Sequence, residues 1–249
     1  MGVLPEALSN SQSLFLISLS AGTSMITATL GIGGGALLLA VMAQIMPLAA
    51  LIPVHGLVQF GSNVNRALLT WSHVDRALVV QFMLGALVGA FIASFIVVQL
   101  PLTAIQIAIG CFILWIVWAP QSKGSGLSPI GAVIAGVLTT ILTMFVGATG
   151  PLVGGLVYRS DSPKLTKVAT MAAVLSGQHL LKGVVFALVG FSFYEWLPLI
   201  LMMIASGALG TWIGLNVLKK ISSERFNTLF RLVITLLALR LLWQGFLAL

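Results

Sequence analysis

The chain has 249 residues, of which 59% are hydrophobic and only 7% charged. A soluble domain is about 25% charged, so this composition cannot coat a water-facing surface, and soluble enzyme folds are excluded. About 20 apolar residues cross a bilayer as a helix, which leaves room for about eight to ten membrane segments and for no sizeable soluble domain. The net charge of +7 comes from cations scattered among apolar runs. They form no basic groove for nucleic acid and suit the excess of Lys and Arg on cytoplasmic loops. A single cysteine, Cys111, excludes an internal disulfide and any CxxC metal or redox site.

Met1 to Asn10 contains no Lys or Arg, so the basic region of a signal peptide is missing and the first apolar stretch is expected to stay as a membrane segment. Breaks at charges, Pro and Gly clusters then divide the chain. Ser13–Leu30 runs into Gly31-Ile-Gly-Gly-Gly35, and a short piece, Ala36–Met46, stops at Pro47. Segments follow at Leu48–Thr70, Ala77–Leu100 and Leu102–Ala119. The stretch 121–127, around Lys123, reads as a polar linker. Beyond it come Ile130–Val146, a second small-residue cluster at Gly147-Ala-Thr-Gly-Pro151, and a short piece ending at Tyr158. Pro163–Val189, Trp196–Leu218 and Phe226–Leu247 complete the map.

The two sides of the linker resemble each other. At one constant offset Ala21-Gly22 falls on Ala135-Gly136, Gly33 on Gly147 and Ser62 on Ser176. After a small insertion, Gly85xxxGly89xxxAla93 falls on Ser206xxxGly210xxxGly214. Both are small-xxx-small stripes, which let helices approach closely in lipid. Residues 1–120 and 128–249 are therefore expected to be two membrane repeats.

Charge sets their relative orientation. Arg66, Arg76, Lys123, Arg159, Lys164, Lys167, Lys219, Lys220 and Arg225 fall in or beside four connections. The N-terminus, Met46-Pro47, Leu100-Pro101, Phe191–Glu195 and the C-terminus carry no Lys or Arg. If the first set is cytoplasmic, both termini are outside, and equivalent loops of the two repeats lie on opposite faces, an inverted-topology repeat. Each glycine-containing pair then leaves the membrane on the side where it entered. The arm after each glycine cluster, about eleven residues or roughly 16 Å of helix, is too short to span. The expected fold is an all-α polytopic bundle of two inverted repeats, each with a broken or hairpin helix.

Four glycines in five residues make a poor continuous helix, each costing about 1 kcal/mol relative to Ala. Irregular backbone is tolerated in a membrane only against protein or a water-filled cavity. A helix restarting at Ala36 or Leu152 would aim free N–H groups into such a cavity, which suits an anion. Close helix packing without a ligand is the plainer alternative. On the first half the site candidates are Gly31, Gly33, Gly34 and Gly35. On the second half they are Gly147, Thr149 and Gly150.

This pattern resembles the TauE/SafE sulfite exporter family. The likeness rests on the early GxGGG, the polar-dotted helix after it, the loop with Val74-Asp75, the Gly85-Ala86-Leu-Val-Gly89 helix and the second-half cluster. The resemblance implies a bacterial-type inner-membrane permease that moves sulfite or organosulfonate anions outward. Two positions depart from it: Arg76 replaces the usual aromatic after Val-Asp, and Ala40-Val-Met stands where a Pro is frequent.

His55, Gln59, Ser62, Asn63 and Arg66 lie along one predicted helix, and Ser176, Gln178, His179 and Lys182 along its counterpart. Polar side chains in membrane helices face the bundle interior or a cavity. Arg66 and Lys182 are expected near the two mouths, although Arg66 at a helix end also fits snorkelling to the interface. For each histidine a plain helix contact competes with proton transfer. The five acids, Glu6, Asp75, Asp161, Glu195 and Glu224, all fall in loops or tails. A carboxylate relay or cation site is therefore not expected, and neither a metal nor a cofactor is. An inside-negative potential favours the exit of an anion by about 2.3 kcal/mol per charge per 100 mV.

Alternating access around the glycine-lined site is the expected mechanism. An importer or a channel of the same architecture stays open as an alternative, as does a homodimer. An intramembrane enzyme built on Ser176 and His179 lacks a nucleophile elbow. Trp71, Trp196 and Trp243, near segment ends, are expected to be interface anchors.

Overall fold

A computed structural model describes residues 4–30, 33–97, 101–118, 127–157, 163–217 and 223–247. Gly31, Lys123, Arg159, Lys219 and Lys220 lie outside the described residues. The described residues form ten α-helices: α1 Asn10–Leu30, α2 Gly34–Met42, α3 Leu48–Leu69, α4 Arg76–Ile96, α5 Leu102–Trp118, α6 Pro129–Val146, α7 Gly150–Val157, α8 Lys164–Leu188, α9 Leu197–Val217 and α10 Ser223–Leu247. No strand occurs among the described residues.

Among the described residues four stretches are long and apolar enough to cross a membrane by themselves: α4, α6, α8 from Leu165, and α9 with the turn before it, Tyr194–Asn216. The chain is thus a polytopic membrane protein. Helices α1 and α3 have 21 and 22 residues, about 31–33 Å, which is also long enough. Their hydropathy is lowered by polar side chains that the bundle buries, including Ser20, Thr23 and Ser24 on α1 and His55, Ser62, Asn63 and Arg66 on α3. Helices α2 and α7, with nine and eight residues, cannot span.

The packing exchanges elements between the halves. α1 packs on α9 and α4 on α6, the same pairing with the repeats swapped, while α3 packs on α8 and α5 on α10 across the pseudo-twofold axis. Directions follow from individual contacts. Ser20 Oγ donates to the Met203 carbonyl at 2.8 Å, and Gly210 and Gly214 lie against the backbone of Ala21 and Met25. α1 and α9 therefore run parallel. Gly85 meets Val133 and Gly89 meets Val137 in the same sense, so α4 and α6 are parallel too. By contrast α3 and α8 are antiparallel: Gly56 faces Lys182, while the Asp75 N–H, just beyond α3, donates to Thr170 Oγ1 near the start of α8 at 2.9 Å.

These directions place the start of α1, the α2–α3 turn and the turn before α9 on one face. The α3–α4 loop and the starts of α6 and α8 lie on the other. The first repeat therefore begins on the face opposite to that on which the second begins, as the charge pattern predicts. Leu8, Met46 and Trp196 belong to one buried cluster with Phe191 and Phe193 packed against it. Trp196 is only 6% exposed, which corrects its expected place as an interface anchor. Trp71 and Trp243 are exposed, and the Arg76 guanidinium sits 5.6 Å from the Trp71 ring centre.

Local signals account for the helix starts. Asp75 caps α4 by accepting from the Leu78 N–H at 3.1 Å, and Ser128 caps α6 by accepting from the Gly131 N–H at 3.1 Å, with Pro129 in the first turn. Glu224 falls within α10 rather than in a loop.

The glycine stripes are the tightest joints. A methyl on Gly85 would strike the Val133 carbonyl, and one on Gly210 the Ala21 carbonyl. Gly85→Ala and Gly210→Ala should each lower stability by about 1–3 kcal/mol through overpacking. At Gly22 an added methyl meets nothing within 4 Å, so Gly22→Ala should hold or gain up to about 1 kcal/mol of helix propensity. Thermal unfolding of the three variants in one detergent checks that order.

Candidate functional site

Each hairpin turns at a glycine with a backbone that other residues rarely adopt. Gly33 has φ 104° and Gly147 has φ 84°, and these are the two positions that the internal repeat superposes. Helix α1 ends at Leu30 and α2 starts at Gly34, while α6 ends at Val146 and α7 starts at Gly150. The restarts come two residues earlier than Ala36 and Leu152, because Gly34 and Gly150 are already helical. α2 folds back onto α1, with Gly34 against the Thr23 carbonyl and Thr27 Oγ1.

A cavity of about 30 Å³ lies where the two breaks meet. One water needs about 10–15 Å³ by this measure, so the space fits roughly two waters or a small anion. Thr27, Gly33, Gly35 and Ala36 line it from the first hairpin, and Ala148, Gly150 and Pro151 from the second. His55, Gln59 and Asn63 line it from α3, and Met171, Leu175 and His179 from α8. Successive positions one helical turn apart, 55, 59 and 63 on α3 and 171, 175 and 179 on α8, form the facing walls.

Side chains reach backbone carbonyls at both hairpins, and the Gly147 carbonyl lies in the break itself. His55 Nε2 lies 3.0 Å from the Gly35 carbonyl. Lys182 Nζ donates to the Gly147 carbonyl at 2.8 Å, and Thr143 Oγ1 donates to the same oxygen at 3.1 Å. The His55 and His179 rings stand edge to face with centres 6.2 Å apart, and the Nδ1 atom of each is buried without a hydrogen-bond partner.

Of the residues singled out in the sequence, Gly33, Gly35, His55, Gln59, Asn63, Gly150 and His179 line the cavity. The other described ones stand behind it. Gly34 is a packing position on α1. Gly147 lies against Ile52 and Leu39 and presents its carbonyl to Lys182. Lys182 is wholly buried with its stem over Gly56, not near a mouth of the bundle. Arg66, 3% exposed, does not snorkel; its Nη1 donates to Asn63 Oδ1 at 3.1 Å. Ser62 pairs with Ser24 across α1 and α3 at 3.1 Å, and Ser176 turns back on the Ala172 carbonyl.

Gln178 is fully used in packing. Its Nε2 donates to Thr139 Oγ1 and Thr140 Oγ1, each at 3.0 Å, and its Oε1 accepts from Thr149 Oγ1 at 3.1 Å. Thr27, Ala36, Ala148, Pro151, Met171 and Leu175 are the lining positions that the sequence reading missed. The repeat itself held a signal for two of them, since Ala36 falls on Gly150 and Ala148 on Gly34 at the offset that superposes Gly33 on Gly147. No group of three His, Cys, Asp or Glu suited to a metal occurs among the described residues.

Two neighbouring glycines separate packing from lining. Gly34→Leu would drive its side chain into α1 and should reduce the yield of folded protein. At Gly35 a methyl would stand 3.0 Å from Gln59 Oε1, the end of a flexible side chain. Gly35→Ala should therefore fold normally, and any change should fall on anion binding. Chromatographic yield and melting temperature, read beside anion-induced stabilisation, check both.

A model of the family described as sulfite exporter TauE/SafE matches residues 14–241. No curated protein and no solved structure gives a significant match. With nearly its whole length matched, the chain belongs to the TauE/SafE sulfite exporter family, a family of membrane transporters.

Proposed function

We propose that this member of the TauE/SafE family exports sulfite or a small organosulfonate across the cytoplasmic membrane by alternating access around the cavity between its two broken helices. The observation that carries the reading is that both chain breaks, from opposite halves, open onto one small space whose lining includes His55, Gln59, Asn63 and His179 and no carboxylate. Helix starts at Gly34 and Gly150 bring free N–H groups and the positive end of a helix dipole toward that space. Gln59 and Asn63 supply amide donors, and Lys182 and Arg66 supply positive charge one layer behind.

The reading takes the cation-bearing face, with the α3–α4 loop and the start of α8, as cytoplasmic, which puts the N-terminus outside. An anion entering from that face would meet Arg66 and Asn63 first and then the two breaks. Rocking of one repeat against the other would close this path and open the far one. An inside-negative potential drives exit of a net negative load without a carboxylate relay.

Purified protein in vesicles loaded with sulfite should release it with saturable kinetics and faster at an inside-negative potential. Lys182→Met should slow release at least about tenfold, the scale of one hydrogen bond with a charged partner, about 1.5–3 kcal/mol. Release that grows linearly with concentration would identify an open pore, and inward movement against the clamped potential would identify an importer.

A further inference from the structure

The cavity wall carries two titratable side chains, His55 and His179. A carbonyl only accepts, so the 3.0 Å contact with the Gly35 oxygen fixes His55 Nε2 as the donor. The titrating atom of His55 is therefore Nδ1. In the neutral ring Nδ1 is a lone pair, and it is buried with nothing to accept from. It can neither bond an oxyanion nor offset its charge. Once protonated, the same ring places a positive charge on the cavity wall while Nε2 keeps its hold on Gly35.

His179, with its own buried and unpartnered Nδ1, stands edge to face 6.2 Å away. Two imidazoliums at that distance repel, so the pair takes a single proton. From α8 the pair is joined by Lys182, and from α3 by Arg66 about three turns beyond His55. Among the other helices packed on α3, no charged or titratable side chain occurs on α2, α6 or α9, and α5 carries only the exposed Cys111. Helix α8 also has Lys164 and Lys167 near its start, and it is packed by α4 with Arg76 and by the turn with His73.

We infer that the cavity takes up one proton with each anion, and that the His55–His179 pair holds it. This inference rests on the anion-transport reading and adds the charge state of the load. A sulfonate then moves as a neutral pair with its proton, on which the membrane potential does no work, and the potential drives only a dianion, which moves as a net single negative charge. The proton comes from solvent on the loading side and leaves with the anion.

Methanesulfonate, a monoanion with no donor of its own, is the probe. Titration calorimetry of the full chain in detergent, repeated in buffers of different ionisation enthalpy, counts protons taken up. We expect close to one proton per methanesulfonate at pH 7.5, and an affinity that falls about tenfold per pH unit above it. The double variant His55→Gln with His179→Gln should bind more weakly and without proton uptake, whereas His73→Gln, in an exposed loop, should match the wild type. Wild-type binding with no uptake and no pH dependence overturns the inference and leaves the transport reading standing. Uptake that persists in the double variant overturns it too, and a wild type that binds no anion at any pH overturns both.

Discussion

Backbone that leaves the helix inside a bilayer must find hydrogen-bond partners in protein, because lipid offers none. The structure is arranged around two such departures, at Gly33 and Gly147, both with positive φ and both at the same place in their repeat. Only glycine holds that geometry cheaply. Part of the polar interior is placed to meet this demand. Lys182 and Thr143 address the Gly147 carbonyl in the second break, while His55 reaches the Gly35 carbonyl in the first turn of α2. In the proposed transporter, side chains around the cavity therefore have two duties, polarity near the anion and a hold on the hairpin backbone.

This dual duty explains why α3 and α8 pack on each other at the axis, and why the halves exchange partners around them. α1 and α6 are each pinned by a helix of the other repeat, through glycine stripes that bring backbone against backbone. Close contact of this kind is the main source of helix association in lipid, where hydrophobic burial contributes little. Serine hydroxyls on α1 and α9 add bonds to carbonyls across the same joint. Each hairpin is thus held by the half to which it does not belong, and a movement of one repeat must act on both breaks together.

Much of this was legible in the residues. The offset that lays Gly33 on Gly147 located both pivots, and the absence of Lys and Arg from one set of connections gave the inverted arrangement. Family membership was legible in the glycine clusters and the Val74-Asp75 loop, and the match over residues 14–241 agrees with it. The depth of single side chains was not legible. Lys182 lies one turn beyond His179, and nothing in that spacing says that its amine turns to a carbonyl freed by a distant glycine. Arg66 sits at a helix end where snorkelling is the usual outcome, yet Asn63, one turn earlier, holds it inside. Gly34 and Gly35 are adjacent and alike in sequence, and only the position of α1 makes the first a packing residue and the second a wall. Helical periodicity gives a face, but the identity of the neighbour on that face is tertiary information.

The central claim is that chain breaks from two oppositely oriented halves share one anion. Ala36 and Gly150 are equivalent positions, one on each hairpin, and both line the cavity. With Cys111 replaced by Ser, cysteines introduced singly at these two positions can be tested with a small thiol reagent over a series of sulfite or methanesulfonate concentrations. The account predicts that one anion concentration half-protects both cysteines. Protection of one position alone, or of neither while the anion is transported, would contradict it.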